Sequence, residues 1–420
     1  MNESPQSSPT GPWILAVAAV LASAGWLGWE WAHRPPQLQT VRAYVEGKAW
    51  EKAAPMLERI LDADPENAEA SRLLVNCLVN LNRYDEAIPV LLRTPGDAAD
   101  KADALYGSGV IHMLANMRRY AERDWKSVLA LDESIPGVAE WQQKARNKLC
   151  TLFAVERRRR DFLDVSEVMF DRSLPNERYV PLQFRMRSLV NIVEPNAAIR
   201  DLEPAVAADP EDLSSRAAIA WYLTDLDKFD EALARVQECR ARAPTDLFLW
   251  ETWCTILDRR GDVKGIVEAL KVVPPGAEES AVLARMQSIA AEQQGDLAAA
   301  AQHLARAMEL DPDAGHHQRM GQLLMRWKKP DEAKRELELA RIQKPVLGEV
   351  KDFMQRYQAG TPERISQFAD WANEAAMLMD KLERTDEGRR WRLAALAADP
   401  SHRPSLAALE REAALRFGRE

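Results

Sequence analysis

The chain has 420 residues, of which 46% are hydrophobic and 29% charged, and this balance excludes a largely disordered protein. Its formal net charge of −9 argues against a general nucleic-acid binder, which usually carries a basic face. The four cysteines contain no CxxC pair, which excludes both a disulfide framework and a cysteine zinc site.

The N-terminal residues predict a membrane anchor. Residues 1–12 are polar and rich in turn formers, so we expect a disordered tail. Residues 13–32 are predicted to form a transmembrane helix, because no charge interrupts positions 13–29 and tryptophans stand at both ends of this stretch. We therefore expect a single-pass membrane protein with an N-terminal anchor.

Three properties of this anchor are less strongly determined by the sequence. Residues 22–24 could be the cleavage site of a signal peptide, but no Lys or Arg precedes the apolar stretch. The basic residues that follow it lean slightly towards a cytoplasmic location of the large domain. Ala24 and Gly28 form one small-xxx-small pair, which allows a weak homodimer through the helix.

From residue 34 onward the sequence repeats with a period of about 34 residues. Alanine recurs in phase at Ala53, Ala87 and Ala121, and only a small side chain fits where two helices cross closely. Asp64 and Pro65 typify the repeat ends, since Asp can cap the next helix and Pro suits its first position. The pattern predicts two antiparallel helices in each repeat.

This pattern resembles the tetratricopeptide repeat family over residues 34–135, 179–347 and 369–402. The resemblance implies an all-α fold, a right-handed superhelix (solenoid) of helix pairs with a concave groove for peptides or other proteins. With the anchor included, the expected parts are a tail (1–12), a transmembrane helix (13–32), three repeats (34–135), a divergent helical repeat (136–178), further repeats (179–347), an irregular helix pair plus the last repeat (348–402) and a capping helix (403–420).

No catalytic motif interrupts the repeats. The sequence has no phosphate-binding glycine loop, no GxSxG and no HExxH, and its six histidines are scattered. We therefore predict a protein that is not an enzyme and has no catalytic, metal-binding or cofactor-binding residues. An enzyme with an unrecognised site in residues 136–178 is an alternative.

Four consecutive arginines at residues 157–160 form the strongest basic run. On one helix they would point in nearly all directions, beside Glu156 and Asp161. We interpret them as a solvated helix end with local i,i+4 ion pairs. The alternative is a docking point for an acidic partner or for anionic headgroups.

The resemblance also implies which residues bind, because members of the family line the groove from set positions on the first helix of each repeat. This mixed aromatic and polar lining suits a protein segment with apolar anchors and some charge, and not a nucleic acid. The residues at those positions are Arg72, Asn76, Asn80, Tyr106, Val110, Trp221, Thr224, Phe248, Glu251, Thr255, Arg285, Ile289, Gln318 and Gln322.

The leading functional hypothesis is a membrane-anchored scaffold or adaptor without enzymatic activity, which binds protein segments in the groove. Bacterial membrane proteins of this build often take part in the assembly of a membrane or envelope complex, although this is an analogy of fold alone. The alternative is an exported component, with the N-terminal segment cleaved, that serves a secreted enzyme or a redox pathway.

Overall fold

The computed structural model describes residues 36–173, 177–189, 193–311, 314–358 and 367–417. Within these residues the chain forms 21 α-helices, one 3-10 helix and no β-strand, so the prediction of an all-α protein is confirmed. The helices belong to two compact units, and the division falls after Ala115.

The first unit is a row of five helices around one apolar core, in which Leu57, Leu78 and Ala87 are buried. Two of the helices begin at side-chain caps: Asn67 accepts a hydrogen bond from the Ala70 N–H (3.0 Å), and Asp97 accepts from the first turn of the last helix. The helices are α1 (Leu38–Glu46), α2 (Trp50–Ala63), α3 (Ala68–Asn80), α4 (Tyr84–Arg93) and α5 (Ala98–Leu114).

The second unit contains the remaining helices, together with the 3-10 helix Ala277–Glu279. They are α6 (Arg118–Leu129), α7 (Val138–Val155), α8 (Arg159–Arg172), α9 (Tyr179–Leu189), α10 (Pro195–Ala208), α11 (Leu213–Asp225), α12 (Phe229–Arg242), α13 (Leu247–Arg260), α14 (Val263–Ala269), α15 (Ala281–Gln293), α16 (Leu297–Leu310), α17 (Ala314–Arg326), α18 (Pro330–Gln358), α19 (Phe368–Lys381), α20 (Thr385–Ala398) and α21 (Arg403–Phe417).

The small residues of the repeat are buried where paired helices cross. Gly321 shows one such close approach, because a Cβ added there would lie 2.6 Å from the Cγ atom of Leu337 on the paired helix. The close crossing therefore explains why the repeat requires small residues. The alanines of the repeat position that are fully buried in the same way are Ala53, Ala87, Ala121, Ala232, Ala300 and Ala333.

Helices α7, α8 and α9 interrupt the regular order of pairs in the second unit. Arg118 on α6 pairs with Asp201 on α10, at 2.6 Å from Nη2 to Oδ2, so the chain before the interruption meets the chain after it. Helix α9 packs against α8 and also against α18 and α20. Met186 of α9 shares an apolar core with Phe353 and Trp391. Helices near the end of the sequence thus pack against a helix from its middle, which the repeat pattern did not predict.

The predicted location as a single-pass membrane protein is wrong, because no helix in the part of the chain that the structure describes is long and apolar enough to cross a membrane. The longest helix, α18, has 29 residues, but charged side chains recur along it from Asp331 to Arg356. The predicted tail (1–12) and the predicted transmembrane helix (13–32), with the homodimer expected through it, lie outside the described residues.

Enlarging a residue at a helix crossing should destabilise the second unit. Ala232 is fully buried on α12, whereas Ala241 is exposed on the same helix. We expect Ala232→Leu to lower the free energy of unfolding by about 1–3 kcal/mol, because the added atoms force the paired helices apart. The control Ala241→Leu should change it by less than about 0.5 kcal/mol. Thermal unfolding followed by circular dichroism compares the two, and equal midpoints would contradict a close crossing at Ala232.

Candidate functional site

All the groove residues predicted in the first unit reach the surface. On α3, Nδ2 of Asn80 donates to Oδ1 of Asn76 at 2.9 Å. Nη2 of Arg72 on α3 lies 3.3 Å from Oδ1 of Asp100 on α5, so the beginnings of the two helices meet at the surface. We call this face the α3–α5 surface, and its members are Arg72, Asn76, Asn80, Tyr106 and Val110.

The predicted groove residues of the second unit differ in their exposure to solvent. Thr224, Thr255 and Ile289 are buried and do not reach the surface. Thr224, for example, donates its hydroxyl to the Ala220 carbonyl at 2.9 Å. Gln318 and Gln322 are exposed. The remaining four residues are half-buried, and they are Trp221, Phe248, Glu251 and Arg285.

Two of the half-buried residues already have partners within the second unit. Arg285 pairs with Asp258 at 3.1 Å, and Glu251 accepts a hydrogen bond from the Ser280 hydroxyl at 2.6 Å. Burial raises the pKa of the Glu251 carboxyl, which favours its neutral form. These two residues therefore help to hold α13 to its neighbours.

A cavity of about 340 Å³ opens between α7, α8, α9 and α11. The lining is mostly aromatic and aliphatic, with three arginines in its walls. We call it the aromatic cavity, and its lining residues are Thr151, Phe153, Ala154, Val155, Arg157, Arg159, Phe162, Phe184, Arg187, Ser188, Val193, Trp221 and Tyr222.

Sequence reasoning missed the aromatic cavity, because three of its walls come from the consecutive helices α7, α8 and α9, which depart from the repeat pattern, and the fourth comes from α11. Of its lining, only Trp221 was among the predicted groove residues. A hydrogen bond from the Tyr222 hydroxyl to the Val155 carbonyl (2.8 Å) ties α11 to the end of α7 and closes one wall. The one available signal was the departure of residues 136–178 from the repeat period.

The four arginines of residues 157–160 do not form a solvated helix end. Arg157 and Arg158 lie in the turn between α7 and α8, where Arg157 has a φ of 59°, and Arg159 and Arg160 begin α8, so the four side chains point to different partners. The predicted local pairing is therefore wrong except for the contacts of Arg158 with Asp161 and Glu156. The long-range pairs are Arg157–Asp225 (2.9 Å), Arg158–Glu122 (2.6 Å), Arg159–Asp311 (2.7 Å) and Arg160–Glu279.

A network in which arginines and carboxylates alternate extends from this turn to α20. Asp311 receives both Arg159 and Arg384, and although its burial opposes ionisation, these arginines hold the pKa of the Asp311 carboxyl below its usual value. The network connects α8 and α9 with α20. In order, its members are Arg159, Asp311, Arg384, Glu387, Arg185, Glu167 and Arg390.

Glu156 is the most deeply buried carboxyl of this turn, with 1% of its side chain exposed. Burial raises the pKa of Glu156 to about 8, even though Nη1 of Arg158 lies 3.2 Å from Oε2. Its carboxyl therefore keeps its proton at neutral pH. Arg158 is left to neutralise Glu122 and Asp161, the other two carboxylates of the cluster.

The described residues contain no group of three or more His, Cys, Asp or Glu side chains that could hold a metal ion. All four cysteines are buried and unpaired. Burial raises the pKa of the Cys150 and Cys254 thiols to about 12, so both stay protonated and poorly nucleophilic at neutral pH.

Paired helices with small residues at their crossings define a helical repeat protein. The family model described as tetratricopeptide repeat matches residues 44–108, which run from α1 to α5. The predicted tetratricopeptide repeat family is therefore confirmed for residues 44–108. No curated protein matches the chain.

Several solved structures are similar to the chain at low sequence identity. A tetratricopeptide repeat protein of Thermus thermophilus is 17% identical, and the match covers 44% of this chain and all of that one, with a TM-score of 0.34. PilF of Pseudomonas aeruginosa is 14% identical over 56% of this chain and 97% of that one, with a TM-score of 0.31. MamA of Desulfovibrio magneticus is 16% identical over 45% and 99%, with a TM-score of 0.30.

The arginines of the turn should differ sharply in their effect on stability. Arg158 has 11% of its side chain exposed and faces three carboxyls, whereas Arg160 and its partner Glu279 are about half exposed. We expect Arg158→Met to lower the free energy of unfolding by about 1.5–3 kcal/mol, because it removes charge-assisted hydrogen bonds to the buried Glu122, which then has Lys126 as its cationic partner. Arg160→Met should cost less than about 1 kcal/mol. Urea unfolding measures both, and similar losses would contradict this difference.

Glu156 should make stability depend on pH between about 4.5 and 8. Its pKa is raised in the folded chain, so the folded state binds the extra proton in this window and stability falls as pH rises through it. In the parent, the free energy of unfolding should fall by up to about 1.4 kcal/mol per pH unit in this window, and Glu156→Gln should reduce this slope. Above pH 8 the variant should be more stable than the parent.

The control for this measurement is Glu410→Gln on α21, where the carboxyl is exposed. Thermal midpoints of the parent and both variants, recorded at several pH values, give the comparison. If Glu156→Gln followed the parent curve across the window, the buried neutral carboxyl would be ruled out.

Proposed function

We propose that the chain is a scaffold or adaptor without enzymatic activity that binds a segment of another protein on its repeat helices. The helix pairs would stack as a right-handed superhelix, whose exposed first helices form the binding face. This function is supported most directly by the α3–α5 surface, where exposed polar side chains on α3 and half-buried apolar side chains on α5 come from consecutive repeats that an ion pair connects.

The chemistry of this surface suits an extended polypeptide. The hydrogen bond between Asn80 and Asn76 leaves Nδ2 of Asn76 as a donor and Oδ1 of Asn80 as an acceptor on the exposed face of α3. A peptide backbone offers both complementary groups. Tyr106 and Val110, half-buried on α5, add an apolar platform for a side chain of the segment.

The charge of the surface adds little net preference. Arg72 and Asp100 are both substantially exposed and neutralise each other at its edge, so their pair contributes about 0–1 kcal/mol and can be rearranged by a ligand. We therefore expect a partner segment with an apolar anchor and ordinary polar groups, and not one that is highly charged. Such a scaffold would serve in assembling a larger protein complex.

Photocrosslinking from the α3–α5 surface tests this function. Tyr106 is replaced by p-benzoylphenylalanine in the full chain, which is expressed in its own host and irradiated, and crosslinked peptides are identified by mass spectrometry. Tyr84 on α4, also half-buried, is the matched control position. We expect one partner segment to crosslink at position 106 and not at position 84.

The identified segment then allows an affinity measurement. Asn76→Ala with Tyr106→Ala should weaken its binding at least about tenfold, because the backbone hydrogen bonds and the apolar platform are lost together. Arg93→Ala, at an exposed position on α4, should leave the affinity unchanged. Equal crosslinking at both positions, or an unaltered affinity of the double variant, would count against the α3–α5 surface.

A further inference from the structure

We propose that the aromatic cavity is a binding site for a small apolar carboxylic acid. The site lies within the second unit and shares no residue with the α3–α5 surface, so it is a function additional to the capture of a protein segment. The proposal rests on the size of the cavity, on its apolar walls and on the sign of its charges.

The walls of the aromatic cavity favour an apolar group. Phe153 and Phe162 are fully buried behind it, while Phe184 and Trp221 are half-buried and face the opening. Its volume of about 340 Å³ lies at the small end of the range typical of sites for small molecules, roughly 300–1,000 Å³. A benzene ring or a short branched hydrocarbon chain would be removed from water on most of its surface.

The charges of the aromatic cavity select an anion. Arg157, Arg159 and Arg187 contribute to its lining, and none of the described lining residues is acidic. Guanidinium groups bind carboxylates through paired N–H donors, and such bonds are stronger where water is excluded. An anionic group attached to the hydrocarbon would therefore lie against this cationic side.

The carboxylates behind the lining are shared between arginines. Asp225 receives Arg157 at 2.9 Å and also Arg259 at 3.3 Å. Asp311 likewise receives Arg159 and a second arginine, at 2.7 and 3.1 Å. Because each aspartate has a second guanidinium partner, an added carboxylate can bind the lining arginine without leaving the aspartate unpaired.

The same shared pairs hold the binding groups in place before a ligand arrives. Arg157 also stacks over the Tyr222 ring at 4.9 Å, and Nη1 of Arg159 donates to the Ser188 hydroxyl at 3.2 Å. A ligand therefore meets arginines whose side-chain order has already been established, which lowers the entropic cost of binding.

Calorimetric titration of the full chain with 3-phenylpropionate tests the site, with 3-phenylpropanamide as the uncharged ligand of the same shape. We expect the acid to bind and the amide to bind at least about tenfold more weakly. Raising the salt concentration should weaken binding of the acid and leave that of the amide unchanged. Equal affinities of acid and amide, or no binding of the acid at about 10 mM, would overturn the proposal.

Two variants at exposed positions locate the binding within the cavity without threatening the fold. Arg187→Gln removes one lining charge and should weaken binding of the acid about tenfold, while binding of the amide should change little. Ala154→Trp fills the opening and should abolish binding of both ligands. Ala241→Trp, exposed on α12 outside the lining, is the control and should bind as the parent does.

Circular dichroism confirms that each variant is folded before titration. Binding that survives Ala154→Trp would place the acid elsewhere and overturn the assignment. Loss of binding in Ala241→Trp as well would show that the effect of Ala154→Trp is not local, and would also overturn it. Because none of these residues lies on the α3–α5 surface, capture of the protein segment should be unchanged in all three variants.

Discussion

Guanidinium–carboxylate pairs made by residues 157–160 connect parts of the second unit that are far apart in the sequence. Arg158 reaches Glu122, 36 residues before it, and Arg159 reaches Asp311, 152 residues after it. Arginine suits this task because it keeps its charge when half-buried and donates from several N–H groups in a planar fork. Because Arg157 and Arg158 lie in the turn and the next two arginines begin α8, the four consecutive side chains point to different partners. The left-handed conformation of Arg157 (φ 59°) recurs in other turns between paired helices, for example at Asp227 and Lys328.

This turn also explains why the second unit departs from a simple row of helix pairs. Pairing of Arg118 with Asp201 brings α6 to α10, and α7, α8 and α9 are held to one side of that junction. The apolar face of α9, with Met186, is then covered by the late helices through Phe353 and Trp391. Ion pairs and apolar burial act together here, since the pairs orient the helices and the buried aromatic residues supply most of the favourable free energy. The aromatic cavity is the space that remains where α9 and α11 face the same turn.

Local features of the fold could be predicted from the sequence, and long-range ones could not. The buried alanines, such as Ala87 and Ala232, follow from a period that each repeat expresses by itself. The partners of residues 157–160 depend on which distant carboxylate comes near, and no spacing in the sequence records that. The burial of Thr224, a predicted groove residue, has the same cause. The turn after α7 packs on the last turn of α11, where Arg157 binds Asp225, and it covers this part of α11.

The arginines can both stabilise the fold and bind a ligand, because the two roles fall mainly on different residues. Arg158 is not a lining residue of the cavity and lies among carboxyls that are mostly buried, so its removal would weaken the neutralisation of Glu122, which Lys126 shares. Arg187 is exposed and lines the cavity, so its charge can act on a ligand at little cost to the fold. Arg157 and Arg159 belong to both groups, since each shares its aspartate with another arginine. A carboxylate that is shared between two guanidinium groups orders both of them, and it keeps one cationic partner when the other arginine binds an added anion.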